Sequence, residues 1–393
     1  MDGSHSHAGA QTEWEPQERR TNERRAVEFH SNAILLCQCR HQTLSQFQVV
    51  RGGMEMLNVS MPKIIILTIQ LADAALPTLL RDGFEQPFGA TAAIVREADL
   101  AIANGEAPIT DEEAPDGRWK EYVYRAPAEA APALARAGFD LIGLANNHAT
   151  DHGARGVDST VENLRRAGVI APGAGDSEAT ARRAVIVRTG GVRVGLIARC
   201  AWSPGWDLWS RQYARGSDPG VALLDEDRLR EDVARLRPEV DLVVLFVHWG
   251  ESYEGPTGSQ RRWARRAAEA GVDLVVGHHP HVAQPVAMVG RTPVVFSLGN
   301  YAFGTPGRPE LSIGLLLRVE VQKRRLARLE LLPIDVQNRR VLYRPVPLVG
   351  SPARDALTPI VAASRALGAP LVLDGDRAVL ELGAQGIASP ADR

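Results

Sequence analysis

From residue 63 onward the chain alternates between two hydrophobic rhythms. Short apolar runs rich in Val, Ile and Leu predict buried strands over 64–69, 99–103, 140–145, 184–187, 192–198, 241–247, 273–276, 293–298 and 311–321. Between many of them, apolar positions three and four apart predict helices over 88–98, 128–137, 156–167, 225–236 and 259–270. Gly138, Gly168 and Gly271 stand just past the last periodic residue of their segments, where a helix stop is expected. Such alternation implies an α/β domain with a largely parallel sheet. The strand-rich stretch 311–349 predicts a mixed or second sheet. A final helix is expected over 359–367, with Pro359 at its first position, Gly368 past its end and a loose tail beyond.

Residues 1–60 follow neither rhythm. They read as a disordered tail or a mis-called start, with Met54, Met56 and Met61 as alternative initiation points. A domain over 61–350 and a C-terminal extension over 351–393 follow. Cys37, Cys39 and Cys200 lack the spacing of a disulfide framework. Cys37 and Cys39 with His41 are too few ligands for a zinc site without distant help. Lys+Arg total 45 against 47 Asp+Glu, a formal net charge of −2, without the basic surplus that a nucleic-acid partner requires. Only Lys63, Lys120 and Lys323 are lysines; the dominance of Arg reads as coding bias. No stretch approaches the roughly 18–20 apolar residues of a membrane span, and no secretory signal is visible. A cytoplasmic location and no membrane span are expected.

Histidine placement carries the chemistry. Of the 10 histidines, His148, His152, His248, His278, His279 and His281 fall at three places, each directly after a predicted strand. Ligands of open α/β sheets bind at the carboxyl ends of strands, so these residues converge on one crevice. The strand ends deliver Asp73; then Asn104, Glu106 and Pro108; then Asn146, Asn147, His148 and Asp151; then His248-Trp249-Gly250; then Gly277-His278-His279-Pro280-His281; and lastly Ser297-Leu298-Gly299-Asn300. Imidazole and carboxylate donors without thiolate suit Mn, Fe or Zn. Two such ions about 4 Å apart need a bridging carboxylate and ligands spread over several strand ends. Singly, each residue has an ordinary structural use, such as Asn as a cap or turn residue; together they point to a metal site.

These pieces, in this order, resemble the CapA family of capsule and poly-γ-glutamate biosynthesis proteins, a branch of the calcineurin-like metallophosphoesterases. The family pattern runs Gly-Asp, Asn-x-Glu-x-Pro, Ala-Asn-Asn-His-x-x-Asp, His-Trp-Gly-x-Glu-Tyr, Gly-x-His-Pro-His and Ser-Leu-Gly-Asn. Matches here span Asp73 to about Phe303. The resemblance implies a four-layer α/β/β/α sandwich with two divalent metal ions. It makes Asp73, Glu106, Asn147, His248, His279 and His281 the metal ligands, with Glu106 bridging. It makes His148 the acid or electrostatic partner of the substrate, with Asp151 orienting it or capping a helix. Asn104, Asn146 and Asn300 are further candidates for substrate contact, His278 for a supporting role, and His152 reads as a surface residue.

Two positions depart from the pattern: Ala72 stands where the family has Gly, and Ser252 where it has Glu, with Glu251 or Glu254 as substitutes. The segment from Cys200 to Trp209 packs Trp202, Trp206 and Trp209 closely, as a small self-contained cluster or as aromatic faces at a site mouth. The implied function is a metal-dependent, phosphoesterase-type hydrolase linked to capsule or poly-γ-glutamate metabolism, taking a small-molecule or polymer substrate. The alternative is a non-catalytic accessory or binding protein of capsule or polyglutamate assembly.

Overall fold

Residues 28–30, 33–37, 61–71, 75–113, 120–206, 211–303 and 311–383 are described by the structure, a computed structural model. In chain order the strands are β1 (Glu28–His30), β2 (Ala33–Cys37), β3 (Lys63–Ile69), β4 (Leu100–Gly105), β5 (Leu141–Gly143), β6 (Ala174–Gly175), β7 (Ala184–Thr189), β8 (Val192–Cys200) and β9 (Gly220–Val221). They continue with β10 (Leu242–His248), β11 (Leu274–His278), β12 (Val286–Val289), β13 (Thr292–Val295), β14 (Ile313–Gln322), β15 (Arg325–Asp335), β16 (Val346–Pro347), β17 (Val372–Asp374) and β18 (Arg377–Glu381).

Two sheets face each other. The first has the order β1-β2-β7-β8-β10-β11-β13-β12 and the second β17-β18-β15-β14-β3-β4-β5. In the first, β8, β10, β11 and β13 run parallel between the antiparallel neighbours β7 and β12; in the second, β3, β4 and β5 form a parallel run at one edge and the remaining pairs are antiparallel. The sheets are therefore mixed rather than largely parallel. Hairpins such as β7–β8 and β14–β15 close in a turn, whereas parallel steps such as β10 to β11 cross over through a helix and the step from β11 to β13 passes through β12.

Strand periodicity divides the first sheet between two cores. Leu196, Val244, Phe246 and Val276 point toward the second sheet, into a core shared with β3–β5. Ile197, Val243, Leu245, Val247 and Val275 point outward, against Leu229 and Val233 of helix Glu226–Leu236 and Ala264 and Ala267 of helix Gly258–Glu269. The second sheet is covered by Leu134 of helix Ala130–Ala137 and Val157 and Leu164 of helix Gly153–Arg166. The result is helix, sheet, sheet, helix. The sheets approach closely enough that a Cβ on Gly143 of β5 would lie 2.8 Å from the Phe246 ring of β10.

Several sequence expectations are corrected. The last helix is Ser351–Ala366, so Pro359 lies inside it rather than at its start. Pro359 is exposed, and the Asp355 carbonyl that loses its intrahelical donor can turn to water, which is how the helix tolerates it. The segment beyond Gly368, for which no strand was expected, supplies β17 and β18 to the second sheet, and residues 384–393 lie outside the described residues. Two short strands, β1 and β2, extend the first sheet from the segment before Met61, β2 running parallel to β7. Cys39 and His41 lie outside the described residues. No helix among the described residues is long and apolar enough to cross a membrane.

Gly277, near the end of β11, shows how tightly the functional end is built. The Trp249 indole N–H donates to the Phe296 carbonyl at 2.9 Å directly over Gly277. A Cβ there would meet that carbonyl oxygen at 2.1 Å and the indole nitrogen at 2.3 Å. Gly277→Ala is expected to destabilise the fold by about 3 kcal/mol or more. Gly255→Ala, at an exposed position with nothing within 4 Å, should change stability by less than about 0.5 kcal/mol. Denaturant midpoints of the two variants check the contrast; equal stabilities would refute it.

Candidate metal centre

Glu106 follows β4, whose parallel register with β3 pairs Thr68 with Asn104, and its own N–H donates to the Ile69 carbonyl at 2.9 Å. The side chain is fully buried. Oε2 accepts from Asn104 Nδ2 at 2.9 Å, while Oε1 has no hydrogen-bond partner among the described residues. Burial pushes the Glu106 carboxyl up to about 8, against the smaller opposing pull of the Asn104 hydrogen bond.

The imidazoles come from the other sheet. Parallel pairing of β10 with β11 sets His248 beside His278, their Nδ1 atoms 2.7 Å apart. His248 Nε2 lies 2.9 Å from Asn147 Oδ1 and 4.0 Å from Glu106 Oε1. His279 and His281 occupy left-handed backbone, with φ of 105° and 60°. Such conformations are uncommon for non-glycine residues and concentrate where a site must aim side chains. The turn directs His281 Nε2 to 3.7 Å from Glu106 Oε1, while Nδ1 donates to Asn300 Oδ1 at 3.0 Å. His279 Nδ1 is buried without a partner among the described residues, and Nε2 is 3.4 Å from Ser252 Oγ. Burial lowers the pKa of His248 and His279 well below the usual range, that of His281 to about 4 and that of His278 to about 3. All four are thus neutral, the form that ligates a metal.

One ligand atom each from Glu106, His279 and His281 lies within 4.8 Å of the others, so this buried group could hold a metal ion. The unpartnered Glu106 Oε1 and His279 Nδ1 fit that occupant, since isolated buried polar atoms are otherwise costly.

A second group adjoins it. His148 Nδ1 is 2.8 Å from Asp151 Oδ2, which also accepts from the Tyr124 N–H at 2.7 Å. Helix Gly153–Arg166 has no side-chain cap at its start, so Asp151 orients His148 and does not cap the helix. Lys120 pairs with Asp151 Oδ1, donates to the Asn147 carbonyl at 2.7 Å and lies 3.1 Å from His148 Nδ1. Burial opposes ionisation of Asp151, but His148 and Lys120 together hold its carboxyl below the usual range. Burial lowers the Lys120 pKa.

Asn104 and Asn146 are fully buried and bonded to one another, Asn146 Nδ2 donating to Asn104 Oδ1 at 3.1 Å and to the Gly105 carbonyl at 2.8 Å. Their amides tie Glu106 to the loop carrying His148, whose N–H donates to Asn146 Oδ1 at 3.1 Å. Asn300 holds His281. His152, expected on the surface, is buried, with Nδ1 2.6 Å from the Glu112 carbonyl. Glu251 and Glu254 are exposed. Trp206 lies against the site, its ring 5.0 Å from His279 and 5.7 Å from His248. Asp73 and Trp209 lie outside the described residues.

Sequence reasoning missed Lys120 and Gln212. Gln212 is fully buried; it donates to the Asn146 carbonyl and accepts from Thr150 Oγ1 at 2.8 Å. For Lys120 a signal existed, a lysine in a chain whose cations are nearly all Arg. Gln212 carried none.

Fold and site together define an α/β sandwich protein with a buried carboxylate–imidazole centre. The chain belongs to the family described as bacterial capsule synthesis protein PGA_cap, whose model matches residues 64–305. It is 29% identical over 246 residues to the PGA biosynthesis protein CapA of Bacillus subtilis, across 62% of this chain and 63% of that protein. Identity to the capsule biosynthesis protein CapA of Bacillus anthracis is 29% over 265 residues, across 65% and 63% of the two chains. A probable polyglutamine synthesis accessory protein of Mycobacterium tuberculosis is 30% identical over 279 residues, across 65% of this chain and 71% of that one. The chain thus spans less than two thirds of the length of the Bacillus relatives.

Glu106, pushed up to about 8, is protonated at pH 7 and must ionise to bind a cation, while the imidazoles have no proton to lose. Mn²⁺ affinity should rise about tenfold per pH unit from pH 6 to about 8 and then level off, with about one proton released per ion at pH 7. Calorimetry in buffers of different ionisation enthalpy measures this; affinity independent of pH would contradict it.

Proposed function

We propose that this chain is a metal-dependent hydrolase of the phosphoesterase type, acting in capsule or poly-γ-glutamate metabolism. The observation that carries the reading is the buried Glu106–His279–His281 group with the His148–Asp151 pair beside it. Divalent ions at such a centre supply Lewis acidity and a nucleophile at neutral pH. Glu106, Asn147, His248, His279 and His281 would hold them. With Nδ1 committed to Asp151, His148 presents its Nε2 edge to a leaving oxygen. Asp151 stabilises the imidazolium from which Nε2–H protonates that oxygen, and Lys120 keeps Asp151 ionised and correctly turned. Trp206 shields the imidazoles on one side. The link to capsule or poly-γ-glutamate rests on the family and on the names of the Bacillus relatives.

A second reading, a non-catalytic accessory of polymer assembly, is favoured by the name of the mycobacterial relative and by Ser252, which stands beside His279 where the family pattern has Glu.

Turnover of a chromogenic phosphodiester with Mn²⁺, measured beside metal content, separates the two. Glu106→Ala and His279→Ala are expected to lose both metal and turnover. His148→Gln should keep its metal while kcat falls about 10²- to 10⁴-fold. Full metal and activity in both ligand variants would defeat the site assignment. A wild type that binds metal but hydrolyses neither phosphoesters nor γ-glutamyl peptides would support the accessory reading.

A further inference from the structure

Gln70 is a glutamine where the site calls for a charge. It follows β3 directly. Because Thr68 pairs with Asn104, continuing the parallel register by two residues sets Gln70 abreast of Glu106. Residues abreast in parallel strands present side chains on the same face of the sheet. Gln70 is 1% exposed. Its main-chain N–H donates to the Ala302 carbonyl at 2.8 Å, which ties it to the turn whose Asn300 holds His281. Its side-chain Nε2 faces the Glu106 carbonyl at 3.4 Å. That contact fixes the amide orientation, since the carbonyl accepts only from the NH₂ end. Oε1 is then the other branch of the amide, and it has no hydrogen-bond partner among the described residues.

This is not an isolated orphan. The buried side-chain atoms without partners among the described residues are Thr68 Oγ1, Gln70 Oε1, Glu106 Oε1, His279 Nδ1 and one guanidinium nitrogen each of Arg199 and Arg328. The two arginines are held in ion pairs with Asp232 and Glu330. The remaining four belong to the ends of β3, β4 and β11, the strands that build the centre. A buried amide oxygen left unsatisfied is costly, because it has given up its hydrogen bonds to water. Four unpartnered buried polar atoms at the ends of the strands that build the centre are atoms that a bound cation would satisfy.

We infer that Gln70, abreast of Glu106 with its amide oxygen buried and unpartnered, is a neutral metal ligand in the position that a second carboxylate would fill, so that this chain holds one ion tightly and a second only weakly. The inference rests on the metal-centre reading above and deepens it. In the cluster that could hold an ion, Glu106 is the only carboxylate among the described residues, and Asp151 is neutralised by Lys120. One negative charge balances a single divalent ion far better than a pair. An amide oxygen also donates less strongly than a carboxylate to Mn, Fe or Zn. The sequence had pointed to Asp73 for this role, three residues further on.

The test is metal stoichiometry and affinity, read without any assay of turnover. Wild type, Gln70→Glu, Gln70→Met and Asp73→Asn are titrated with Mn²⁺ by calorimetry and by electron paramagnetic resonance, with thermal melts to verify folding. Wild type should bind about one ion tightly. Gln70→Glu, nearly isosteric, should bind two, with affinity for the second raised at least tenfold and a spin-coupled dinuclear signal appearing. Gln70→Met should weaken the second ion further, and Asp73→Asn should match wild type. Unchanged stoichiometry and affinity in both Gln70 variants would overturn the inference while leaving the centre intact. Loss of an ion in Asp73→Asn would overturn it in favour of that carboxylate. Absence of binding in every variant would instead remove the metal-centre reading and the inference together.

Discussion

The half-satisfied carboxyl of Glu106 is the constraint from which the rest of the site follows. An ionised carboxylate taken out of water without a partner costs several kcal/mol, so a protein either pairs it, protonates it or gives it a cation. Pairing has been withheld here. Lys120, the nearby ammonium, is committed to Asp151, and Arg199, a fully buried cation of the neighbouring sheet, is bound to Asp232. What surrounds Glu106 is a set of imidazoles kept neutral by burial and held by their other edges. Donors of that kind do not neutralise a carboxylate; they could complete a coordination shell around an ion that does.

The two-sheet architecture is what brings such donors to one point without loops of their own. Glu106 and Asn147 come from the β4 and β5 ends of one sheet, His248, His279 and His281 from the β10 and β11 ends of the other. Their distances depend on how closely the sheets face, which Gly143 against Phe246 sets in the core. At the rim, Gly277 does the same by letting the Trp249 indole reach the Phe296 carbonyl. Both glycines serve packing at ordinary backbone angles. The positive φ values fall instead on His279 and His281, where the strain aims ligands.

Much of this was legible because the informative residues are those whose types are costly to bury. A histidine at the end of an apolar run has few structural uses, and six of them at three strand ends narrow the chemistry sharply. The strands at the sheet centres were legible for the complementary reason, their unbroken apolar runs. Edges were not: β17 and β18 are short and partly exposed, so their pattern resembles a loop. Pro359 misled because a proline is usually a helix start, and only its exposure explains its place in the interior. Gln212 reaches the site by tertiary contact from a segment with no local signature, and Lys120 was marked only by being a rare lysine. Gln70 was hidden by the aspartate three residues after it, and only strand register, which a single sequence does not contain, sets it beside Glu106.

His278 shows why register matters down to single protons. Asn147 Oδ1 and His248 Nε2 stand 2.9 Å apart, and an amide oxygen has only lone pairs to offer. With a proton on Nε2, His248 donates to Asn147, and its Nδ1 must then accept from His278. With Nε2 presented as a lone pair, two acceptors face each other, tolerable only around a shared cation, and Nδ1 must become the donor. The atom opposite, His278 Nδ1 at 2.7 Å, has to serve as donor in one state and acceptor in the other. A hydroxyl can do so by rotating but is too short to span adjacent strands. A buried amide uses different atoms for the two roles and would have to flip against Phe246, whose ring packs 4.5 Å from His278. An imidazole does it by moving a proton between its own nitrogens, with no change of position. The pairing of β10 with β11 in parallel register therefore sets beside His248 a group whose Nδ1 can either donate or accept, according to its tautomer.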